Sequence, residues 1–220
     1  MRRVASRRHP LSAVTALALA VLIPRAAGAV GHVESLLERR NQGVVRQHWD
    51  LSCGAAALAT LMTYQLGAPV TEREAALGML NQTSPILVRS RLGFTLLDLK
   101  RFAASRGFSA AGYAGLTVDE LLEMAPAIAP IRANGFGHFV VVRGESGGRL
   151  LIADPAFGNR TMSRRSFEHA WPGAIGFVVF PAGQPHPPNR MGAPTALVLA
   201  PGGASLRAAE ANLRGWSRAR

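Results

Sequence analysis

The sequence is poor in the residues that build disulfides and metal sites. It contains one cysteine, Cys53, and 13 acidic residues against 25 basic ones in 220 residues. A single cysteine cannot form an internal disulfide, so the fold must depend on its hydrophobic core. No spacing of His, Cys and Asp resembles a metal site. We therefore expect no metal ion and no other cofactor.

Lysine and aromatic residues are also scarce. The only lysine, Lys100, lacks the preceding glycine pattern of a P-loop, which excludes that nucleotide-binding motif. Aromatic residues make up 6% of the chain, and no nucleic-acid motif accompanies the formal charge of +12. Five arginines and no acidic residue lie within residues 1–29, and residues 181–220 carry a net +4, which leaves +3 for residues 30–180. Nucleic-acid binding is therefore not expected.

The N-terminal 29 residues have the pattern of an export signal. Four arginines lie within residues 2–8, an apolar run extends from Leu11 to Ile23, and residues 27–29 offer a small-x-small cleavage site. The apolar run is shorter than the roughly 20 residues that a membrane span needs, although a retained anchor helix is the alternative. The sequence therefore predicts a signal peptide over 1–29 and a periplasmic or secreted mature protein without stable membrane insertion.

The C-terminal 40 residues, 181–220, are rich in proline and basic. This composition predicts a disordered tail, whose residues 206–216 form at most a marginal amphipathic helix. The stretch between signal and tail, 30–180, is long enough for a single hydrophobic core.

Within residues 30–180, helical patterns come first and strand patterns follow. We expect helices over 55–66, 71–80, 96–106, 117–125 and 163–171, strands over 127–132, 139–142, 150–152 and 175–180, and a polar loop over 81–93. No parallel β-α-β rhythm appears. Helices followed by antiparallel strands predict an α+β domain.

Cys53 lies where a polar segment gives way to the first apolar helix. Asp50 and Ser52 are residue types that cap helix starts, so the sulfur is expected in the first helical turn. Unpaired backbone N–H groups and the helix dipole favour a negative charge there, and the thiolate is the reactive form of cysteine. The alternative is a buried thiol that serves only as a small apolar side chain.

A histidine and an aspartate are predicted to meet across the hairpin that follows. If the turn over 144–148 centres on Ser146, then His138 faces Asp154, with Cβ atoms about 5 Å apart. With Cys53 they would form the thiol version of a nucleophile–base–carboxylate triad. His48 is the rival base because it is close to Cys53 in sequence, whereas His32 and His169 have no acidic partner in a sensible register.

The order of these motifs resembles one enzyme family. Gln47 is followed by Ser52-Cys53-Gly54, then by His138-Phe139-Val140-Val141, and then by Ala153-Asp154-Pro155. This pattern, over about residues 44–180, resembles the bacteriocin-processing, double-glycine leader peptidases, a branch of the papain-like cysteine peptidases. The resemblance implies a papain-like α+β fold with Cys53 as nucleophile, His138 as base and Asp154 orienting the histidine. It also implies that Gln47 donates to the oxyanion, a contact worth about 3 kcal/mol.

The sequence also departs from the best-known members of that family. They carry an aspartate directly before the cysteine, where this chain has Ser52, and they are domains of export ATPases, whereas this chain looks free-standing and exported. Stand-alone exported relatives are associated with secretion of functional amyloid or other surface proteins, so the expected partner is a peptide or protein substrate of that kind. The leading hypothesis is a cysteine peptidase. The alternatives are a non-catalytic peptide-binding or secretion-accessory domain, and an enzyme of acyl or amide transfer.

Overall fold

The structure of the protein is a computed structural model that describes residues 35–133 and 135–192. The expected signal peptide, the expected helix over 206–216 and His32 lie outside these residues. Within the described ranges, no helix is both long and apolar enough to span a bilayer.

Helices fill the first half of the described chain and strands fill the second. The helices are α1 (Leu36–Asn41), α2 (Cys53–Thr60), α3 (Glu72–Leu80), α4 (Pro85–Arg91), α5 (Leu96–Ser105), α6 (Val118–Glu123) and α7 (Arg164–Ala170), and a π-helical segment, Leu61–Gln65, continues α2. The strands are β1 (Phe108–Tyr113), β2 (Ala127–Ala133), β3 (Phe136–Ser146), β4 (Arg149–Asp154), β5 (Gly158–Ser163) and β6 (Gly176–Pro181). The α+β class is therefore confirmed.

Four helices begin with the same local device, a capping box, which is formed at Ser35 in α1 and at a threonine in the other three. Thr71, Thr95 and Thr117 each accept a hydrogen bond from the backbone N–H three residues later, and the acidic side chain at that later position bonds back. These reciprocal capping boxes satisfy backbone donors that a helix start leaves free. They explain why α3, α5 and α6 begin where the sequence predicts.

The polar loop predicted over 81–93 is wrong, because α4 occupies the seven residues from Pro85 to Arg91 within it. Pro85 is the first residue of α4, where its fixed φ suits a helix and its missing N–H is not needed. The helix ends at Arg91 and is capped by Leu92, whose φ of 59° is left-handed. Proline therefore begins a helix here, inside a stretch whose polar composition predicts a loop.

The six strands form one antiparallel sheet in the order β1-β6-β2-β3-β4-β5. The four predicted strands are present, and β3 and β4 are longer than expected. The sequence analysis missed β1 and β5, which are the two edges of the sheet. Their small and polar residues suit edge strands, which are only partly buried and carry a weak apolar alternation.

The predicted register of the β3–β4 hairpin is also wrong. Its turn consists of Gly147 and Gly148, both with positive φ, so Ser146 pairs with Arg149 rather than standing at the centre. A bulge then shifts the pairing between Val142 and Gly144. As a result Asp154 is not directly opposite His138. Continuing the pairing of Val141 with Ala153 by one residue makes Asp154 and His138 diagonal neighbours.

Helix α2 lies at the centre of the larger of two hydrophobic clusters. All eight of its residues are buried, and its alanines let it approach the sheet closely. At Gly54 the approach is tightest, since an added Cβ would lie 3.1 Å from a ring carbon of Phe139. The second cluster lies between α6, α7 and the other strand faces, and includes Leu121, Phe167 and Trp171. The small residues after Cys53 thus hold its helix against β3.

The first part of the expected tail is attached to the domain. Gln65 donates to the carbonyl of Pro188 (2.9 Å) and accepts from the N–H of Arg190 (2.8 Å). The buried Arg143 donates to the carbonyl of Met191 (2.7 Å), and the Met191 side chain is 2% exposed. Residues 187–191 therefore pack against the domain, and a disordered tail stays a prediction for residues 193–220, outside the described chain.

Candidate active site

Cys53 is the first residue of α2 and is 8% exposed. Ser52 holds the N-cap position, but its hydroxyl does not cap the helix in the way that the sequence predicts. That hydroxyl shares its one proton instead between the carbonyl of Trp49 (2.7 Å) and the carboxylate of Glu72. The backbone donors of the first turn of α2 are thus left without a side-chain cap, next to the thiol.

His138, on β3, joins Cys53 to Asp154. Its Nε2 lies 2.8 Å from Asp154 Oδ1, and the Cys53 side chain is near enough to the ring to help raise the pKa of His138. Because Nε2 faces the carboxylate, Nδ1 is the ring nitrogen left for the sulfur. The His138 side chain is 11% exposed. The structure therefore brings together the three side chains that the sequence analysis proposed, although by a diagonal pairing.

Asp154 is completely buried and fully hydrogen-bonded. Its Oδ1 accepts from His138 and from the N–H groups of Ala156 (2.9 Å) and Phe157 (3.3 Å). Its Oδ2 accepts from Arg160 Nε at 2.8 Å. A buried carboxylate with this many donors is held in one orientation.

These contacts change the pKa values of His138 and Asp154. Burial alone would lower the pKa of His138, but hydrogen bonds to Asp154 and Cys53 and the attraction of both groups outweigh it, so this pKa rises to about 9. Burial alone would raise the pKa of Asp154, but the hydrogen bond and charge of His138, the charge of Arg160 and the Ala156 N–H lower it below its usual value. The pair therefore favours imidazolium next to carboxylate.

Gln47 lies beside the turn that follows Asp154, since its backbone N–H donates to the Pro155 carbonyl (2.9 Å). Its side-chain N–H donates to the Trp49 carbonyl at 3.3 Å. Among the described residues, Gln47 Oε1 is the one buried side-chain polar atom that lacks a hydrogen-bond partner. An amide nitrogen carries two N–H groups, so Gln47 can donate to an oxyanion with the second one.

Two arginines that the sequence analysis did not single out hold the same turn. Arg46 donates to the carbonyls of Pro155 and Ala156, and Arg40 donates to that of Phe157. Their spacing carries no recognisable motif, because their partners are backbone atoms more than 100 residues away. They fix the segment that carries Gln47 to the end of the strand that carries Asp154.

His48, the rival base, is paired elsewhere. Its Nδ1 lies 2.8 Å from Glu72 Oε2, and its side chain is 75% exposed. Glu72 also accepts from the backbone N–H groups of His48 and Trp49 and from the Ser52 hydroxyl. Glu72 is thus the anchor of the loop that leads from Gln47 to Cys53, and no sequence signal identifies it. His169 lies at the C-terminal end of α7.

An apolar pocket of about 360 Å³ opens beside this loop. Its walls come from the loop, from α3 and from α4, and include Trp49, Leu51, Leu77, Val88 and Phe94. In the described chain, no group of three or more His, Cys, Asp or Glu side chains could hold a metal ion.

Comparison with known proteins agrees with this architecture. Residues 41–181 match the model of the Peptidase C39 family. The "Probable functional amyloid protease FapD" of Pseudomonas aeruginosa is 38% identical over 148 residues, which are 67% of this chain and 65% of that protein. The chain thus spans just under two thirds of the length of this curated relative.

Two solved structures share the fold. One is a double glycine motif protease from an AMS/PCAT transporter in complex with the leader peptide, with 27% identity, a TM-score of 0.52, and coverage of 63% of this chain and 90% of that one. The other is the peptidase domain of Streptococcus ComA, a bifunctional ABC transporter involved in a quorum-sensing pathway, with 24% identity, a TM-score of 0.51, and coverage of 63% and 97%. Because the family match extends over well more than half of its residues, the chain belongs to the peptidase C39 family.

Proposed function

We propose that the protein is a cysteine endopeptidase in which Cys53 is the nucleophile, His138 the base and Asp154 the residue that orients His138. The observation that carries the proposal is the His138 ring, which bonds to the buried Asp154 carboxylate at 2.8 Å and has the Cys53 side chain as its other charged neighbour. A thiol, an imidazole and a carboxylate in this order have the geometry of nucleophilic catalysis. Membership of the family supports the same reaction class.

In the proposed reaction His138 holds the Cys53 proton in an imidazolium–thiolate pair, and the thiolate attacks the carbonyl carbon of a peptide bond. The oxyanion that forms accepts from the Cys53 backbone N–H at the uncapped start of α2 and from the Gln47 amide. His138 then gives its proton to the departing amine, which leaves an acyl thioester on Cys53. Water, deprotonated by His138, attacks the thioester, releases the carboxylic acid and restores the thiol.

We propose a peptide or protein as the substrate. The apolar pocket next to the Trp49–Ser52 loop suits an apolar stretch of polypeptide bound beside the reacting bond. The FapD relative is named for functional amyloid, and a protein of that kind is the substrate we propose for this chain. The export-signal pattern supports action in the periplasm or outside the cell, after removal of residues 1–29.

The reaction class can be tested with a peptidyl electrophile that alkylates active-site thiols. We expect one label per molecule on Cys53 by mass spectrometry, no label in Cys53→Ala, and slow labelling in His138→Ala. If the folded wild-type protein is not labelled, the peptidase proposal fails. Retained binding of peptides by the unlabelled protein would then favour a peptide-binding domain, and products that carry an added amine would indicate acyl transfer. A comparison of exported peptides from cells with wild-type protein and with Cys53→Ala would identify the substrate.

A further inference from the structure

Two cations of different kinds meet at the buried carboxylate of Asp154. His138, from β3, bonds to Oδ1, and Arg160, from β5, bonds to Oδ2, both at 2.8 Å. The Arg160 side chain is 33% exposed, and its guanidinium carbon lies 5.9 Å from the centre of the Phe157 ring. Arg160 thus reaches from the protein surface to the far side of the proposed triad.

The charges of the site explain why a second cation matters. When Cys53 is a thiolate and His138 an imidazolium, the triad carries two negative charges and one positive charge. A buried charge without a partner is costly, and Arg160 makes the sum zero. Arg40 and Arg46 donate to carbonyl oxygens of residues 155–157, and Arg46 also donates to the side chain of Asn41.

We propose that Arg160 is a positioning residue of this site: its guanidinium balances the buried charge of Asp154 and fixes this carboxylate where it holds the His138 ring. The inference rests on the proposed function, because it concerns the same triad. Arg160 does not touch the reacting atoms, so it acts through Asp154. Without it, both anions of the site become less favourable, and a higher pH is needed to form them.

The test is the pH dependence of alkylation of the purified protein by iodoacetamide. Since Cys53 is the only cysteine, the rate reports one thiolate without need of a substrate. In Arg160→Met we expect the acidic midpoint of the rate to move to higher pH by about one unit. Arg160→Lys, which keeps the charge, should bring the midpoint most of the way back to the wild-type value. Arg149→Met is the matched control. Among the described contacts, the Arg149 side chain bonds only to Thr161, also between β4 and β5. The midpoint of this variant should equal that of wild type.

Each outcome decides between the two proposals. If the profiles of wild type and Arg160→Met superimpose, the role of Arg160 is overturned and the peptidase proposal stands. If the wild-type thiol reacts like a free cysteine at every pH, the peptidase proposal fails instead. A purely structural role would lower the melting temperature and the alkylatable fraction while leaving the midpoint in place. If Arg160→Met does not fold, Arg160→Gln takes its place, because glutamine removes the charge but keeps a donor. The proposal then requires the same shift in the midpoint of Arg160→Gln.

Discussion

The molecule contains two histidine–carboxylate pairs with the same nitrogen–oxygen distance, but the two histidines differ in exposure to solvent. His138 and Asp154 lie 2.8 Å apart, and so do His48 and Glu72. Both carboxylates are buried, with side chains 0% and 4% exposed. The histidines differ, because the His138 side chain is 11% exposed and that of His48 is 75% exposed.

The comparison separates the proposed base from a histidine that has an equally short contact with a carboxylate. His138 presents Nε2 to its carboxylate and has the Cys53 side chain close by, where both groups raise the pKa of the ring. His48 presents Nδ1 to Glu72, and its ring faces solvent. In the first pair the carboxylate holds the histidine ring, whereas in the second Glu72 holds the loop before Cys53.

The largest expected effect comes from removing one histidine of each pair. His138→Ala takes away the proposed base, so we expect the peptidase rate at pH 7 to fall at least about a thousandfold. His48→Ala should lower it less than about tenfold. The measurement is kcat/KM on a peptide cleaved by wild type, with circular dichroism to check folding. Equal losses in the two variants would contradict the distinction between the pairs.

Asp154→Asn tests the carboxylate of the first pair. The asparagine amide carries no negative charge and cannot stabilise the His138 imidazolium, so we expect a loss of about a hundredfold or more in kcat. The pH profile should change as well. The pKa of His138 is raised to about 9, so the wild-type rate should fall only as the pH passes about 9 and the imidazolium loses its proton. In Asp154→Asn this basic limb should move to lower pH by at least about one unit. An unmoved limb would show that another group holds the proton on His138.

Glu72→Gln tests the carboxylate of the second pair. Glu72 accepts hydrogen bonds from two backbone N–H groups and from the Ser52 hydroxyl. In Glu72→Gln an NH2 group replaces one carboxylate oxygen, so a donor faces a donor and at least one of these bonds is lost. We expect a loss of about 2 kcal/mol in the free energy of unfolding, measured with denaturant, and a rate about tenfold lower because the loop loosens. Glu74→Gln is the control, since Glu74 lies on the same helix in an exposed capping box and should cost less than about 1 kcal/mol. Equal costs would deny Glu72 its role as anchor.

The two pairs differ in how far the sequence predicts them. His138 and Asp154 were predicted because each lies at the end of an apolar run, and antiparallel strands bring such ends together. The register was wrong, since Gly147 and Gly148 make a tighter turn and a bulge near Val142 shifts the ladder. The error in register is small compared with the reach of the His138 and Asp154 side chains, so the two still make contact. Prediction of the site residues therefore depended less on register than on strand order.

Glu72 and Arg160 could not be predicted in the same way. Glu72 follows a capping threonine, so its position suggests an ordinary residue of a first helical turn. Its partners depend on how α3 packs against the loop before Cys53. Arg160 lies on β5, an edge strand that the polar sequence did not reveal, and its contact with Asp154 requires the β4–β5 pairing. Both roles depend on tertiary packing that local patterns do not encode.

The smallest effect is expected for the stability of His48→Ala. The substitution removes the ring contact with Glu72, but the His48 backbone N–H still donates to this carboxylate at 2.8 Å. Because the ring is mostly in water, the loss in unfolding free energy should stay below about 1 kcal/mol. Denaturant unfolding beside Glu72→Gln provides the measurement. A cost as large as that of Glu72→Gln would mean that the histidine ring, rather than the backbone and Ser52, holds the carboxylate, and the second pair would then depend on its histidine as the first one does.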